Sequence, residues 1–278
     1  MKRTLRLRIP GARCGARLLL GIAALGALGA AGHIDAAPPP LVHLYTFQTP
    51  DGLSADDLVY DPIGGHLVFV GVNPRSVLWE TTIRGELLAE HPDLGSNSLT
   101  RATRGATTGH FFQASGGGGS VTVSEFDETF TKVKDCLVQL SLPDGVPSVP
   151  GDALAFNHYR QTFLVSDLPA NLIHEVDCRG EGTFIRSVAP VGFDAPAGMV
   201  FDVATGTYFG VHHMDSVLVQ FDDVGTLIRS FPLAPYGVVQ PVGITIGQGK
   251  IFVTDELRGE ENDKTGYIFA FRTPAPAR

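Results

Sequence analysis

Short runs of β-branched and aromatic residues recur along the chain from residue 41 to residue 272, separated by turns rich in Gly, Asp and Asn. Alternation of apolar and polar positions within such runs indicates half-buried β-strands. This region lacks the long stretches with apolar residues every three or four positions that would indicate amphipathic helices. The pattern therefore predicts an all-β protein.

The strand pattern repeats with a period near 45 residues. Phe156, Phe201 and Ile246 occupy equivalent positions and are each 45 residues apart, and Tyr60 takes the same position 96 residues before Phe156. A period of this length with four short strands per unit predicts a β-propeller, in which each repeat forms one blade around a central channel. The clear repeats cover 56–88, 152–187, 197–233 and 242–271.

The gap between the first two clear repeats holds a degraded one, which runs from about Ser98 with strands over 109–115, 120–126 and 130–140. Five four-stranded blades are therefore expected, and six is the alternative. The last repeat ends at its third strand, 266–272, while a lone alternating strand, 41–48, precedes the first repeat. If strand 41–48 completes the last blade, the ring closes without a free sheet edge.

The N-terminal segment 1–37 has the composition of a signal peptide. Six Lys and Arg residues precede an apolar run of 14 residues over 18–31. A bilayer-spanning helix needs about 20 residues, so an uncleaved anchor is the weaker alternative. We expect a periplasmic or secreted protein with a propeller domain over 38–273 and a disordered tail over 274–278. Cys14 precedes the apolar run and is not placed for lipid attachment.

The net charge of the chain limits the classes of partner that it can bind. Without residues 1–36 the chain keeps 15 Lys and Arg against 28 Asp and Glu, a net charge of −13. Such a surface repels phosphate backbones and anionic headgroups, so no nucleic acid or membrane partner is expected after cleavage. We expect a monomer that binds a small molecule or a protein partner.

Two cysteines, Cys136 and Cys178, remain in a chain expected to enter an oxidising compartment. Secreted proteins commonly pair such residues, whereas thiols in reducing compartments stay free. A single disulfide and two unpaired thiols are both open from the sequence.

The segment 152–177, "DALAFNHYRQTFLVSDLPANLIHEVD", is similar to the repeat of the SMP-30/gluconolactonase family, and 240–256, "QPVGITIGQGKIFVTDE", resembles an NHL-type repeat. The similarity extends over roughly residues 41–273 and rests on blade-building positions that many propellers share. It implies a propeller fold. Related families include calcium- or zinc-dependent lactonases and esterases, scaffolding proteins that only bind, and exported bacterial propellers.

The lactonase resemblance also implies metal ligands at the turns before the innermost strands. It places Asp56 at the first acidic ligand, Asp152 where Asn is usual, and Ala197 where an aspartate is usual. A methyl group cannot coordinate a hard cation, which prefers several oxygen ligands. No cofactor is expected beyond a Ca²⁺ or Zn²⁺ ion held by Asp56 and Asp152.

The loops after each second strand carry further polar residues that we expect at the channel. The expected ligand-binding set is Asp56, Asn73, Asp152, Asp167, His212, Asp255 and Glu256. An Asp after a strand also commonly holds backbone N–H groups of its own turn, so Asp167 and Asp255 have a structural alternative. His212 and His213 point to opposite faces of an extended segment, so only one of them faces the channel.

Two function classes follow. The favoured one is an exported binding module with an acidic channel mouth, and the alternative is a metal-dependent hydrolase of lactones or esters. A hydrolase needs at least three convergent ligands and a general base, and no catalytic residue is identified. The sequence contains no Gly-x-Ser-x-Gly motif, and "SGGGGS" at 115–120 lacks the lysine of a phosphate-binding loop.

Overall fold

A computed structural model of the chain describes residues 40–275 except 53, 73–76, 93–97, 105–106, 143–146 and 257–265. The expected signal peptide, Asn73 and the last three residues lie outside the described residues. In the described part of the chain, no helix is long and apolar enough to cross a membrane.

The described strands form five four-stranded antiparallel sheets, each of which is one blade of a propeller. This confirms the all-β prediction with five blades and not six. Blade 1 contains β2 (Ser54–Asp61), β3 (His66–Val72), β4 (Val77–Thr81) and β5 (Leu87–Pro92), and blade 2 contains β6 (Thr100–Arg104), β7 (Thr107–Gly117), β8 (Ser120–Phe126) and β9 (Lys132–Gln139).

The other three blades follow the same pattern. Blade 3 contains β10 (Leu154–Asn157), β11 (Thr162–Asp167), β12 (Leu172–Asp177) and β13 (Thr183–Val188), and blade 4 contains β14 (Gly198–Asp202), β15 (Thr207–His212), β16 (Val217–Phe221) and β17 (Leu227–Pro232). Blade 5 contains β18 (Pro241–Gly247), β19 (Lys250–Asp255), β20 (Tyr267–Arg272) and β1 (His43–Gln48). Short 3-10 helices cover Pro50–Gly52 and Ala234–Tyr236.

The N-terminal strand closes the ring, as predicted. Strand β1 pairs antiparallel with β20, with Thr46 opposite Phe269 and Gln48 opposite Tyr267. The Arg272 N–H extends this pairing by donating to the Val42 carbonyl at 2.9 Å. The last blade therefore contains strands from both ends of the propeller domain, which removes the free edge of β20.

Each interface between neighbouring blades has its own buried apolar cluster. The cluster between blades 1 and 5 contains Trp79 with Phe252, and the cluster between blades 1 and 2 contains Val68 with Phe111. Three similar clusters lie at the interfaces of blades 2 and 3, 3 and 4, and 4 and 5. Because side chains alternate along a strand, each blade packs against both of its neighbours.

A disulfide between Cys136 and Cys178 joins the outer strand of blade 2 to the end of β12 in blade 3. The bonded residues are 42 positions apart. In the chain-entropy model, closing a loop of this length stabilises the fold by about 4 kcal/mol. The sequence left open a single disulfide or two unpaired thiols, and the structure contains the disulfide.

The innermost strands of blades 4, 5 and 1 approach one another closely at a level of the channel that we call the waist. A Cβ atom built on Gly198 of blade 4 would lie 2.3 Å from the Val242 carbonyl oxygen, and one built on Gly243 of blade 5 would lie 2.7 Å from the Asp57 Cα of blade 1. Only glycine permits backbones to approach this closely. Two cavities lie on either side of the waist, and we call them the acidic mouth and the apolar mouth.

Candidate functional site

The acidic mouth is a cavity of 500 Å³ at the end of the channel where the innermost strands begin. Three carboxyl side chains line it, from Asp56, Asp152 and Glu256, together with the imidazole of His213. No lysine or arginine is present among the described residues of its wall. The described part of the wall is therefore acidic, which favours cationic ligands.

The repeat explains why these residues meet. Asp56, Asp152, Ala197 and Val242 each stand four residues before the equivalent aromatic or apolar position of their repeat, and all four line the acidic mouth. The structure thus brings Asp56 and Asp152 together with Ala197 at one cavity. The Ala197 methyl group is 8% exposed, and its backbone N–H donates to the Val211 carbonyl at 2.8 Å.

Asp152 has the most clearly perturbed carboxyl group of this mouth. Burial raises its pKa, and the nearby Asp167 carboxylate acts in the same direction. The Leu168 N–H, which donates to Asp152 Oδ2 at 3.3 Å, and the His213 ring act in the opposite direction. A ligand cation beside Asp152 would favour its charged form, because opposite charges stabilise each other at short range.

The residues just after the second strands also face the acidic mouth. Leu168, His213 and Glu256 follow strands β11, β15 and β19 directly, and all three line the cavity. Glu256 Oε2 accepts a hydrogen bond from Gln240 Nε2 at 3.1 Å. His213 Nδ1 is inaccessible to solvent and has no hydrogen-bond partner among the described residues.

One position earlier, the last residues of the same strands turn away from this cavity. Asp167 is fully buried and accepts hydrogen bonds from Ser148 Oγ at 2.6 Å and from the Val149 N–H at 3.2 Å. Asp255 is also fully buried, and it accepts from the N–H groups of residues 239 and 240 at 3.1 and 2.7 Å. Both carboxylates hold the loop that leads into the innermost strand of their own blade, which is the structural alternative named for them above.

His212 occupies the same position in blade 4. Its Nδ1 lies 3.2 Å from Asp215 Oδ2 and its Nε2 lies 3.8 Å from Asp194 Oδ2, in a different cavity. The structure therefore places His213, and not His212, at the acidic mouth. The sequence contained the signal for this difference. His213 lies 43 residues before Glu256 and occupies the equivalent position of its repeat, and neighbouring side chains on a strand point to opposite faces.

A buried hydrogen-bonded chain lies behind Asp167. His174 Nε2 lies 3.2 Å from Asp167 Oδ2, and His174 Nδ1 lies 2.9 Å from Ser187 Oγ. Burial lowers the pKa of His174 in spite of the neighbouring carboxylate. The His174 and Asp167 side chains have no exposed surface, so this pair anchors blade 3.

Asp57 is the residue at the channel that sequence reasoning missed. Its carboxylate accepts hydrogen bonds from the N–H groups of Leu58 and Leu99, both at 2.8 Å, and from the N–H of Ile244. These donors belong to the innermost segments of blades 1, 2 and 5. Burial raises the pKa of Asp57 well above its usual range, in spite of these bonds. Asp57 therefore ties three blades together at the waist.

The described residues of the acidic mouth do not fit the metal site that the family resemblance implied. Among the described residues, no three His, Cys, Asp or Glu side chains are grouped as they would be around a metal ion. Asp56 and Asp152 face the same cavity, but the third position offers the Ala197 methyl group. Hard cations need more oxygen ligands than this arrangement brings together.

No known protein family matches the sequence, and no curated protein matches it. Solved structures are similar in fold. The calcium-binding protein regucalcin from Agrobacterium tumefaciens is 14% identical with a TM-score of 0.51, and the alignment covers 85% of this chain and 95% of that chain. This similarity confirms an SMP-30-type propeller at the level of the fold alone.

Two further structures are similar at lower scores. A protein of unknown function from Bacteroides caccae is 14% identical with a TM-score of 0.47, covering 76% of this chain and 73% of that chain. A protein from Bacteroides uniformis, provisionally described as a 6-phosphogluconolactonase, is 15% identical with a TM-score of 0.45, covering 80% and 72%.

Proposed function

We propose that the protein is a binding module whose acidic mouth takes a small organic cation with more than one amino group. The observation that supports this most directly is the wall of the 500 Å³ cavity, which contains Asp56, Asp152 and Glu256 and, among its described residues, no lysine or arginine. Ammonium groups supply the charge and the hydrogen-bond donors that carboxylates accept.

The spacing of the acidic groups favours an extended cation over a single ion. The three carboxylates come from blades 1, 3 and 5, and they are not grouped as metal ligands would be. A diamine or polyamine reaches separate carboxylates with separate ammonium groups, whereas one metal ion must contact all its ligands at once. The volume also lies within the range of about 300–1,000 Å³ that small-molecule sites have.

His213 adds an imidazole ring to this wall. Its inaccessible Nδ1 has no partner among the described residues, and the ring lies close enough to Asp152 to lower the pKa of that carboxyl group. A ligand hydroxyl group or ammonium group that reaches the ring would meet a hydrogen-bonding partner there. This favours amines that also carry hydroxyl groups.

The second function class, a metal-dependent hydrolase of lactones or esters, draws its support from the fold. Regucalcin, whose structure this chain resembles, is described as calcium-binding. A hydrolase of that kind would have to recruit its third ligand at the position of Ala197 from another side chain. Among the described residues, Glu256 is the remaining carboxylate of the cavity.

Calorimetric titration of the purified protein with spermidine tests the proposal, with 1,5-pentanediol as a neutral ligand of similar shape. We expect saturable binding of spermidine and none of the diol. The substitution Asp152→Asn removes a charge-assisted hydrogen bond and should weaken binding about 10-fold or more. Glu128→Gln removes one charge from a side chain that is 68% exposed and lies outside the cavity, so it serves as the matched control.

Measuring how much Ca²⁺ stabilises the protein distinguishes the two function classes. A tightly bound ion at a hundred times its dissociation constant would stabilise the protein by about 2.7 kcal/mol. We expect less from millimolar Ca²⁺ on the native protein, and a larger response from Ala197→Asp. Tight binding of Ca²⁺ or Zn²⁺ together with hydrolysis of a lactone by the native protein would overturn the binding-module proposal.

We also propose that the protein acts outside the cytoplasm as a monomer. The basic segment and the apolar run over 18–31 support export, and the net charge of −13 after residue 36 supports a solvent-facing surface without nucleic acid or membrane partners. Intact mass of the protein recovered from the periplasm or medium tests cleavage near residues 30–37. Recovery of the uncleaved chain from the membrane fraction would contradict this part of the proposal.

A further inference from the structure

The apolar mouth is a second cavity, of 420 Å³, at the end of the channel where the innermost strands finish. All five blades contribute to its wall. The equivalent repeat positions Tyr60, Phe156, Phe201 and Ile246 lie in it, together with Met199. The volume is again within the range of about 300–1,000 Å³ that small-molecule sites have.

The rim of this cavity is also apolar. The side chain of Ile63, which lines the cavity, is 71% exposed, and Val203 opposite it in blade 4 is 47% exposed. Tyr159 lies beside Val203, donates its hydroxyl hydrogen bond to the Val203 carbonyl and packs edge-on against Phe201. Exposed apolar side chains around an apolar cavity mark a binding site more often than a plain surface does.

The described wall of this cavity is poor in charged side chains. No lysine, arginine or glutamate occurs among the described residues of its wall. Its one carboxylate, from Asp202, accepts hydrogen bonds from the Ala204 N–H at 3.0 Å and from Thr205 Oγ1 at 2.7 Å within its own turn. A charged ligand would lose its hydration here without gaining a partner.

His158 gives the wall one polar ring. The ring packs edge-on against Phe156 with 5.0 Å between ring centroids and lies 6.3 Å from the Phe201 ring. Burial lowers the pKa of His158, which favours the neutral imidazole with one N–H donor and one nitrogen acceptor. An aromatic ligand with a hydroxyl group would pack against these rings and pair with one of the nitrogens.

We infer that the apolar mouth binds a small, uncharged aromatic molecule, independently of the amine proposed for the acidic mouth. No described residue lines both cavities, so each has its own ligand chemistry. The aromatic rings of Phe156 and Phe201 supply the apolar contact, and His158 supplies the hydrogen bond that selects for a hydroxyl group.

The test uses the neutral dye N-phenyl-1-naphthylamine, whose fluorescence rises in apolar surroundings. The purified full chain should bind one equivalent saturably. Ala204→Trp fills the mouth from an exposed turn and should abolish this binding, while Ala234→Trp, an exposed alanine outside the cavity, should leave it unchanged. Both variants keep the apolar run over 18–31, which could itself bind the dye. A difference in dye binding between them therefore comes from the cavity and not from that segment.

Competition defines the ligand class. Displacement of the dye by 2-naphthol should weaken about 3- to 10-fold in His158→Phe, while displacement by naphthalene should not change, since only the hydroxyl compound loses a hydrogen bond. Saturating spermidine should leave dye binding unchanged. The inference is overturned if the dye does not bind saturably, if Ala204→Trp with native melting binds it as the native protein does, or if spermidine displaces it.

Discussion

The acidic mouth and the apolar mouth lie at opposite ends of the same innermost strands, and in four of the repeats they differ by four residues. Asp56 and Asp152 face the first cavity, while Tyr60 and Phe156 face the second. A strand of that length spans only about 13 Å. Two chemically different cavities therefore lie within one blade length, and no described residue lines both.

The comparison shows how a repeat supplies two sites without losing its fold. The equivalent position at the end of the innermost strand, which is Phe156 in blade 3 and Phe201 in blade 4, lines the apolar mouth. An aromatic or aliphatic side chain is needed there because its burial stabilises the blade. The position at the start of the strand faces the open acidic mouth and tolerates aspartate, alanine or valine, as residues 56, 197 and 242 show. Among these repeats, charge therefore varies at the end of the channel where the innermost strands begin.

The strongest way to break this arrangement is to remove the carboxylate at the waist. Asp57→Ala leaves the buried N–H groups of Leu58, Leu99 and Ile244 without their acceptor. The free energy of unfolding should fall by about 3 kcal/mol or more, since each orphaned buried donor costs about 1–3 kcal/mol. Urea unfolding measures this, with the exposed Glu128→Ala as the control. An unchanged urea midpoint would contradict the role of Asp57.

A smaller effect is expected from crowding the waist. Gly198→Ala places a methyl group 2.3 Å from the Val242 carbonyl oxygen, which is backbone and cannot move aside cheaply. Overpacking of this kind costs about 1–3 kcal/mol. Gly180→Ala is the matched control, because a Cβ atom there meets nothing within 4 Å. If both variants unfold at the same urea concentration, the waist is not tightly closed.

The smallest expected effect concerns the pH dependence of the free energy of unfolding, to which His158 of the apolar mouth and Asp152 of the acidic mouth contribute with opposite signs. Burial lowers the pKa of His158 below 6.5, so its contribution to stability is present above about pH 6.5 and is lost as the pH falls, because the unfolded chain binds the proton first. Burial raises the pKa of Asp152 above 3.8, so the folded protein binds the proton first and gains stability as the pH falls toward 3.8.

Urea midpoints measured over about pH 4–8 should therefore separate two variants. His158→Phe should reduce the loss of stability below pH 6.5, although His174, whose pKa burial also lowers, keeps part of that loss. Asp152→Asn should remove the gain on the acid side. If the urea midpoints of both variants and of the native protein depend on pH in the same way, neither His158 nor Asp152 titrates as its burial implies.

The period of 45 residues was enough to predict the blades, the degraded second repeat and the closing strand, because strand alternation and turn composition are local properties of the chain. The resemblance to the lactonase family, and not the period, implied that Asp56, Asp152 and Ala197 lie at one site. The period did not separate Asp167 and Asp255, which hold loops, from Glu256, which lines the acidic mouth. That distinction depends on where each second strand ends.

The sequence by itself thus determined the five repeats and the identity of the residues at each strand start. Only the tertiary structure decided that Asp57 joins three blades and that backbones approach closely at Gly198 and Gly243. The physical reason is that these facts depend on contacts between blades. Such contacts join residues as far apart as Asp57 and Ile244, and no pattern within one repeat encodes their approach.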